Sequence, residues 1–109
     1  MKNIFNIIKY NILLKSKYAW DRLNAYRYFN NKKHWEIALK DKDWYIRLSA
    51  YCYFNDKDHW EIGINDKDWS IRFNAYTYFN DKPHWEMAMH DENADNQLAA
   101  EKWLAEYNK

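Results

Sequence analysis

An all-α fold, arranged as a short α-solenoid, is expected from three features of this chain. The first is self-similarity: residues 42–66, KDWYIRLSAYCYFNDKDHWEIGIND, recur as imperfect copies at 17–41 and 67–91, a period of 25 positions. A fixed period in the twenties marks a repeat array, whose units bury their apolar faces only by stacking. The second is the helical spacing inside a copy: Ile46, Ser49, Ala50, Tyr53 and Phe54 fall at i, i+3, i+4, i+7 and i+8. The third is the scarcity of breakers. One Gly and one Pro in 109 residues suit short helices joined by tight polar turns.

The period divides a single domain into an N-terminal capping helix (1–16), three repeats (17–41, 42–66 and 67–91) and a C-terminal capping helix (92–109). In the first segment Ile4, Phe5, Ile8 and Ile12 lie at helical spacing among Lys2, Asn6, Lys9 and Lys15. It is too polar for a signal core and too short to span a bilayer. It reads as a cap over the open end of the array, with a basic amphipathic helix lying on a membrane as the rival. Within the central repeat a longer helix is expected from about Asp43, as N-cap, to Asn55. A shorter one follows over about 58–65, with Asp58 and Glu61 in capping-box spacing. Pro83, in the equivalent place of the next copy, suits a first helical turn. In the C-terminal stretch Ala100, Trp103 and Leu104 take the places of Ala75, Tyr78 and Phe79. Asn96 and Asp21 stand where Ile71 and Ile46 stand, so both outer copies carry a polar residue at a core position, as end units do.

The D-x-D-W-x-I-R opening of Asp41–Arg47 and Asp66–Arg72, followed by an Ala three residues later, resembles HEAT-type repeats. With so short a period the similarity is strongest to the variant leucine-rich repeat, whose units pair an α-helix with a shorter helix. It covers residues 17–104. The resemblance implies right-handed superhelical stacking and a binding role rather than a reaction. Such repeats in bacteria can carry an N-terminal cysteine cluster for an iron–sulfur centre. Residues 1–16 contain no cysteine, so no cofactor is carried over.

Composition narrows the function classes. The single Cys52 excludes an internal disulfide and a multi-thiolate metal site, which favours a reducing, cytoplasmic setting. The wealth of Asn, Lys, Ile and Tyr is what AT-rich coding gives, as in low-GC bacteria and their phages. Net charge is +1 but polarised: residues 1–40 hold nine Lys/Arg against two acids, a net +7, and residues 41–109 hold eight against fourteen, a net −6. No Gly-rich phosphate loop, nucleophile elbow or H-E-x-x-H appears, so no enzyme is expected. His34, His59 and His84 recur one repeat apart, about 8–10 Å in stacked helices, too far to share one zinc ion with bonds of about 2 Å.

Two recurrent sets remain. Arg22, Arg47 and Arg72 read as a structural charge ladder, with Asp43 and Asp68 four residues before the latter two and Asp41, Asp66 and Asp91 linking to the next copy. An arginine row for phosphate is the alternative. Tyr53, Phe54 and Trp60 read as core, whereas Tyr26, Tyr51 and Tyr76, one step off the stripe, read as a surface row flanked by Leu48 and Phe73. Trp20, Trp44 and Trp69 sit near helix starts, where a ring edge stays wet. Exposed Tyr and Trp dominate binding hot spots, so these eight residues are the expected protein-binding site. Contact with RNA, DNA or a nucleoprotein through Lys9, Lys15, Lys17, Arg22, Arg27, Lys32 and Lys33 is the alternative. Self-association of the basic end of one copy with the acidic end of another is the third possibility.

Overall fold

The computed structural model describes residues 3–109. It is helical: α1 (Ile4–Leu13), α2 (Ala19–Phe29), α3 (Lys32–Ala38), α4 (Trp44–Phe54), α5 (Lys57–Gly63), α6 (Trp69–Phe79), α7 (Lys82–Ala88) and α8 (Ala94–Tyr107), with no strand among the described residues. Long helices of 11 residues alternate with short ones of 7 from α2 to α7. The chain falls into two units, Met1–Phe54 and Asn55–Lys109.

One short sequence, F-N-[ND]-K-x-H-W, makes every turn from a long helix to a short one. Asn30, Asn55 and Asn80 take φ of 44, 45 and 47°, the left-handed conformation that Asn tolerates better than other side chains bearing a Cβ. Each also accepts a hydrogen bond at its Oδ1 from the indole Nε1 of the Trp five residues on: Trp35 at 2.9 Å, Trp60 at 3.0 Å and Trp85 at 3.1 Å. The next residue is the N-cap: Asn31, Asp56 and Asp81 accept from the backbone N–H of His34, His59 and His84. The cap therefore lies two residues before the expected Asp58, and Glu61 faces Lys57 at 3.9 Å rather than closing a capping box. The same carboxamide or carboxylate meets the histidine ring Nδ1, and the His34 and His84 rings stack on Phe29 and Phe79 at 4.1 and 3.9 Å. The recurrent histidines are thus turn residues. Pro83 lies in the first turn of α7, as its fixed φ favours.

The turn from a short helix to a long one is closed by aspartate. Asp41, Asp66 and Asp91 accept from the backbone N–H two residues ahead, at 2.8–2.9 Å. Asp43, Asp68 and Asn93 then cap α4, α6 and α8 through N–H groups of their first turns. The expected N-cap role of Asp43 holds.

In the first unit the core gathers Leu23, Tyr26, Trp35, Ala38, Ile46 and Ala50, with Leu14, Ala19, Leu39 and Phe54 packed against it. In the second, Trp60, Ile64, Ile71, Ala75, Tyr76, Trp85, Ala88 and Ala100 are buried. Ala25, Ala50, Ala75 and Ala100 are fully buried, where a larger side chain would hold neighbouring helices apart. Each short helix, and α1, sends one aromatic ring onto the residue 18 positions later. Tyr10 stacks on Tyr28 at 4.1 Å and Trp35 on Tyr53 at 5.7 Å; in the second unit Trp60 meets Tyr78 at 6.0 Å and Trp85 meets Trp103 at 6.2 Å.

Two expectations about the core are corrected. Tyr53 is exposed, covering Trp35 with one ring face and meeting solvent with the other, while Phe54 is half-buried. In α1, Ile4, Phe5, Ile8 and Ile12 do not cover the repeat. Its packing side is Tyr10 and the following Leu14.

Two substitutions test these assignments. Asn80→Gly keeps the left-handed turn and removes only the acceptor for Trp85, at an expected cost of about 1–2 kcal/mol. Asn80→Ala adds the left-handed penalty of about 1–2 kcal/mol, so urea unfolding should rank wild type above N80G above N80A. Asn96, fully buried where Ile46 and Ile71 stand, donates to Trp69 O at 3.2 Å, but its Oδ1 has no partner among the described residues. Asn96→Ile is expected to raise stability by about 1–3 kcal/mol, read from the same curves.

Candidate interaction surface

The arginines at the recurrent position are buried. Arg22 donates through Nε and Nη2 to the two carboxylate oxygens of Asp41, both at 2.9 Å, and through Nη1 to Ser16 O at 2.9 Å. Arg72 repeats the pattern with Asp91 at 2.8 and 3.1 Å and Asp66 O at 2.8 Å. Arg47 Nη1 reaches Asp41 O and Lys42 O at 2.9 and 3.0 Å. The bidentate fork is the strongest geometry a guanidinium and a carboxylate adopt. It removes Arg22 from the expected phosphate-binding residues. From Arg22 and from Arg72 the ion pair runs to the aspartate 19 positions later. Asp43 and Asp68, four positions earlier, act as caps.

The fork draws a tyrosine in with it. Tyr26, Tyr51 and Tyr76 are each only 4% exposed, which overturns their expected place in a surface row. The Tyr76 hydroxyl donates to Asp91 Oδ2 at 2.9 Å. Burial, then that hydrogen bond, push the Tyr76 phenol up to about 12. Burial alone would raise the Asp91 carboxyl, but hydrogen bonds from Arg72, the Asn93 backbone and Tyr76 outweigh it and hold it at about 2. Asp41 is lowered in the same way, with Arg22 and the Asp43 N–H overcoming burial.

The tryptophans near helix starts stay wet: Trp20, Trp44 and Trp69 are 64, 44 and 43% exposed. In the first unit Tyr45 lies edge-on to Trp44 at 5.6 Å, and the Arg27 guanidinium lies 5.7 Å from the Trp20 ring centre. Leu48 is half-buried. In the second unit Phe73 is exposed at its rim and meets Trp85 edge-on at 6.3 Å. A second apolar set was not anticipated. Ile12 and Ile37 in the first unit, and Ile62 and Met87 in the second, occupy one repeat position on the short helices and α1, and all are exposed. Their recurrence two residues after Tyr10, Trp35, Trp60 and Trp85 is visible in the sequence, but a lone aliphatic per short helix passes for core.

Charge differs between the units. Met1–Phe54 holds eleven Lys/Arg against four acids, a net +7, and Asn55–Lys109 holds six against twelve, a net −6. An open cleft of about 390 Å³ in the first unit is lined by Leu14, Lys15, Ser16, Lys17, Arg22, Asp41 and Lys42. Its counterpart in the second, about 200 Å³, balances Lys67 and Arg72 with Asp68 and Glu92. Lys9, Lys15, Lys17, Lys32 and Lys33 are all exposed, with Lys32 4.0 Å from Glu36. Such an exposed pair contributes at most about 1 kcal/mol.

A carboxyl lowered on folding contributes stability that is complete above its unfolded value and is lost as pH falls through its folded value. Stability in urea should therefore decline between about pH 4 and pH 2. Asp91→Asn is expected to flatten part of that decline while costing about 3 kcal/mol at neutral pH, because Arg72 loses its counter-charge. Parallel unfolding curves of the two proteins at several pH values read both effects.

No helix among the described residues is long and apolar enough to cross a membrane. No family model, curated protein or solved structure matches this chain.

Proposed function

We propose that the chain is a non-catalytic binding module, an adaptor or stoichiometric inhibitor, that engages a protein partner through exposed aromatic side chains. In this reading the long and short helices form a short right-handed α-solenoid of the HEAT-like or variant leucine-rich type. The observation that carries the proposal is the exposure of Trp20, Trp44 and Trp69 at the first turns of the long helices. An exposed indole is a rigid contact with little entropy to lose, and Trp, Tyr and Arg are the residues enriched at hot spots. Tyr45, Leu48 and Phe73 extend these faces, and Arg27 beside Trp20 adds a cation. The composition suits a low-GC bacterial or phage origin, where small stoichiometric inhibitors are useful.

The second reading, contact with RNA, DNA or a nucleoprotein, is favoured by one observation: the basic cleft at Lys15, Lys17 and Lys42 in the first unit. The two differ in salt dependence. Phosphate binding falls steeply with salt, roughly in proportion to the number of contacts in a log–log plot, whereas an aromatic protein interface changes little.

The test is affinity capture from a lysate of the source organism, with and without nuclease, at low and high salt. One protein recovered in all four conditions, and lost with Trp44→Ala or Trp69→Ala, is the expected result. Each truncation should weaken binding by about thirtyfold or more if it removes a hot spot, with the thermal unfolding midpoint nearly unchanged. Recovery abolished by nuclease or salt moves the function to nucleic acid and the cleft.

A further inference from the structure

The α1 helix carries an apolar face that nothing in its own unit covers. Ile4, Phe5, Ile8 and Ile12 are 61, 77, 52 and 66% exposed. At about 100° per residue these four positions fill one continuous arc of about 100° along a helix about 15 Å long. Tyr10 and Leu14, which attach α1 to the rest of the unit, lie on a different side. An exposed apolar patch of this size marks an interaction site.

The charge around the arc identifies the occupant. Lys9 follows its edge, with its ammonium 5.3 Å from the Tyr10 ring centre and therefore off the apolar face. Lys15 and Lys17 stand exposed in the turn after α1, and no Asp or Glu occurs before Asp21. The face itself contains three Ile and one Phe, without the Trp, Tyr or Arg that mark protein hot spots. Lysine is depleted at protein interfaces and enriched beside helices that lie on anionic bilayers. The aromatic faces of the long helices have the opposite character.

We propose that α1 seats this protein on an anionic membrane surface, with Ile4, Phe5, Ile8 and Ile12 entering the acyl boundary and Lys9, Lys15 and Lys17 meeting lipid phosphates. The helix lies in the interface without crossing it. Attraction near an anionic leaflet amounts to roughly a fivefold gain in binding per lysine. Three lysines then give on the order of a hundredfold preference for anionic over zwitterionic vesicles, diminishing with salt.

The test is co-sedimentation of the full chain with vesicles of phosphatidylcholine alone and of equal parts phosphatidylcholine and phosphatidylglycerol. Binding to the anionic vesicles only is expected, reduced at least tenfold by Phe5→Asp with Ile8→Asp and severalfold by Lys15→Gln with Lys17→Gln. All four positions are exposed, so helical circular dichroism should stay unchanged and keep the variants interpretable. Failure to bind anionic vesicles overturns the proposal, as does binding that survives F5D/I8D. Equilibrium sedimentation without lipid provides the remaining arm. A dimer abolished by F5D/I8D assigns the face to a second copy and also overturns it.

Discussion

A guanidinium fork ties a long helix to the turn that closes the short helix after it, from Arg22 to Asp41 and from Arg72 to Asp91. Arg22 and Arg72 each hold a carboxylate 19 positions later with two nitrogens and a carbonyl six positions earlier with the third. That single side chain fixes where a long helix begins and where the next short helix ends. A buried charge is tolerable only when paired and fully hydrogen-bonded, and here the carboxylate is engaged again by the backbone N–H two residues ahead. Tyr76 completes the set from the adjacent position. At Gln97, the equivalent place in α8, a neutral amide stands in for the guanidinium and donates to Asp91 O at 2.5 Å. The last helix thus keeps the carbonyl contact and drops the fork. Nothing charged needs a partner there.

The fork also explains which parts of the structure were legible in the sequence. The period of 25 located every helix from α2 to α7 to within two residues or so, because helix caps and turn residues recur with it. The buried side of the long helices was rotated by comparison. A hydrophobicity pattern treats Arg47 as outward-facing and sets the stripe at Ile46, Ser49, Ala50, Tyr53 and Phe54; the residues buried are Ile46, Arg47, Ala50 and Tyr51. Once the arginine turns inward the tyrosine four positions later follows it, and Tyr53 moves to the rim. Tyr26, Tyr51 and Tyr76 were misplaced for that reason alone. Trp20, Trp44 and Trp69 were placed correctly because a first-turn position is wet whichever way the stripe is turned.

Capping on the short helices was displaced for a related reason. The pattern Asp58-x-x-Glu61 fits a capping box, but the left-handed Asn55 has already reversed the chain, so the first free N–H groups point at Asp56. Positive φ at a residue other than Gly is hard to see in sequence. Its trace here is the pairing of each Asn with a Trp five positions on, a spacing that has meaning only when the indole N–H needs an acceptor.

The residues that build the fold and those that vary between copies form nearly separate sets. Asn, His, Trp, Arg, Asp and Ala recur because turns, forks and close helix packing each require one of them. Four positions escape: Trp20/Tyr45/Ser70, Arg27/Cys52/Thr77, Lys33/Asp58/Pro83 and Lys40/Asn65/His90. Every one of these side chains is exposed except the half-buried Ser70. Their chemistry changes along the chain, from Trp, Arg, Lys and Lys in the first copy to Ser, Thr, Pro and His in the third. No fork or helix cap recurs through these positions, and the Arg27 guanidinium 5.7 Å from the Trp20 ring centre makes a pairing that Tyr45/Cys52 and Ser70/Thr77 cannot repeat.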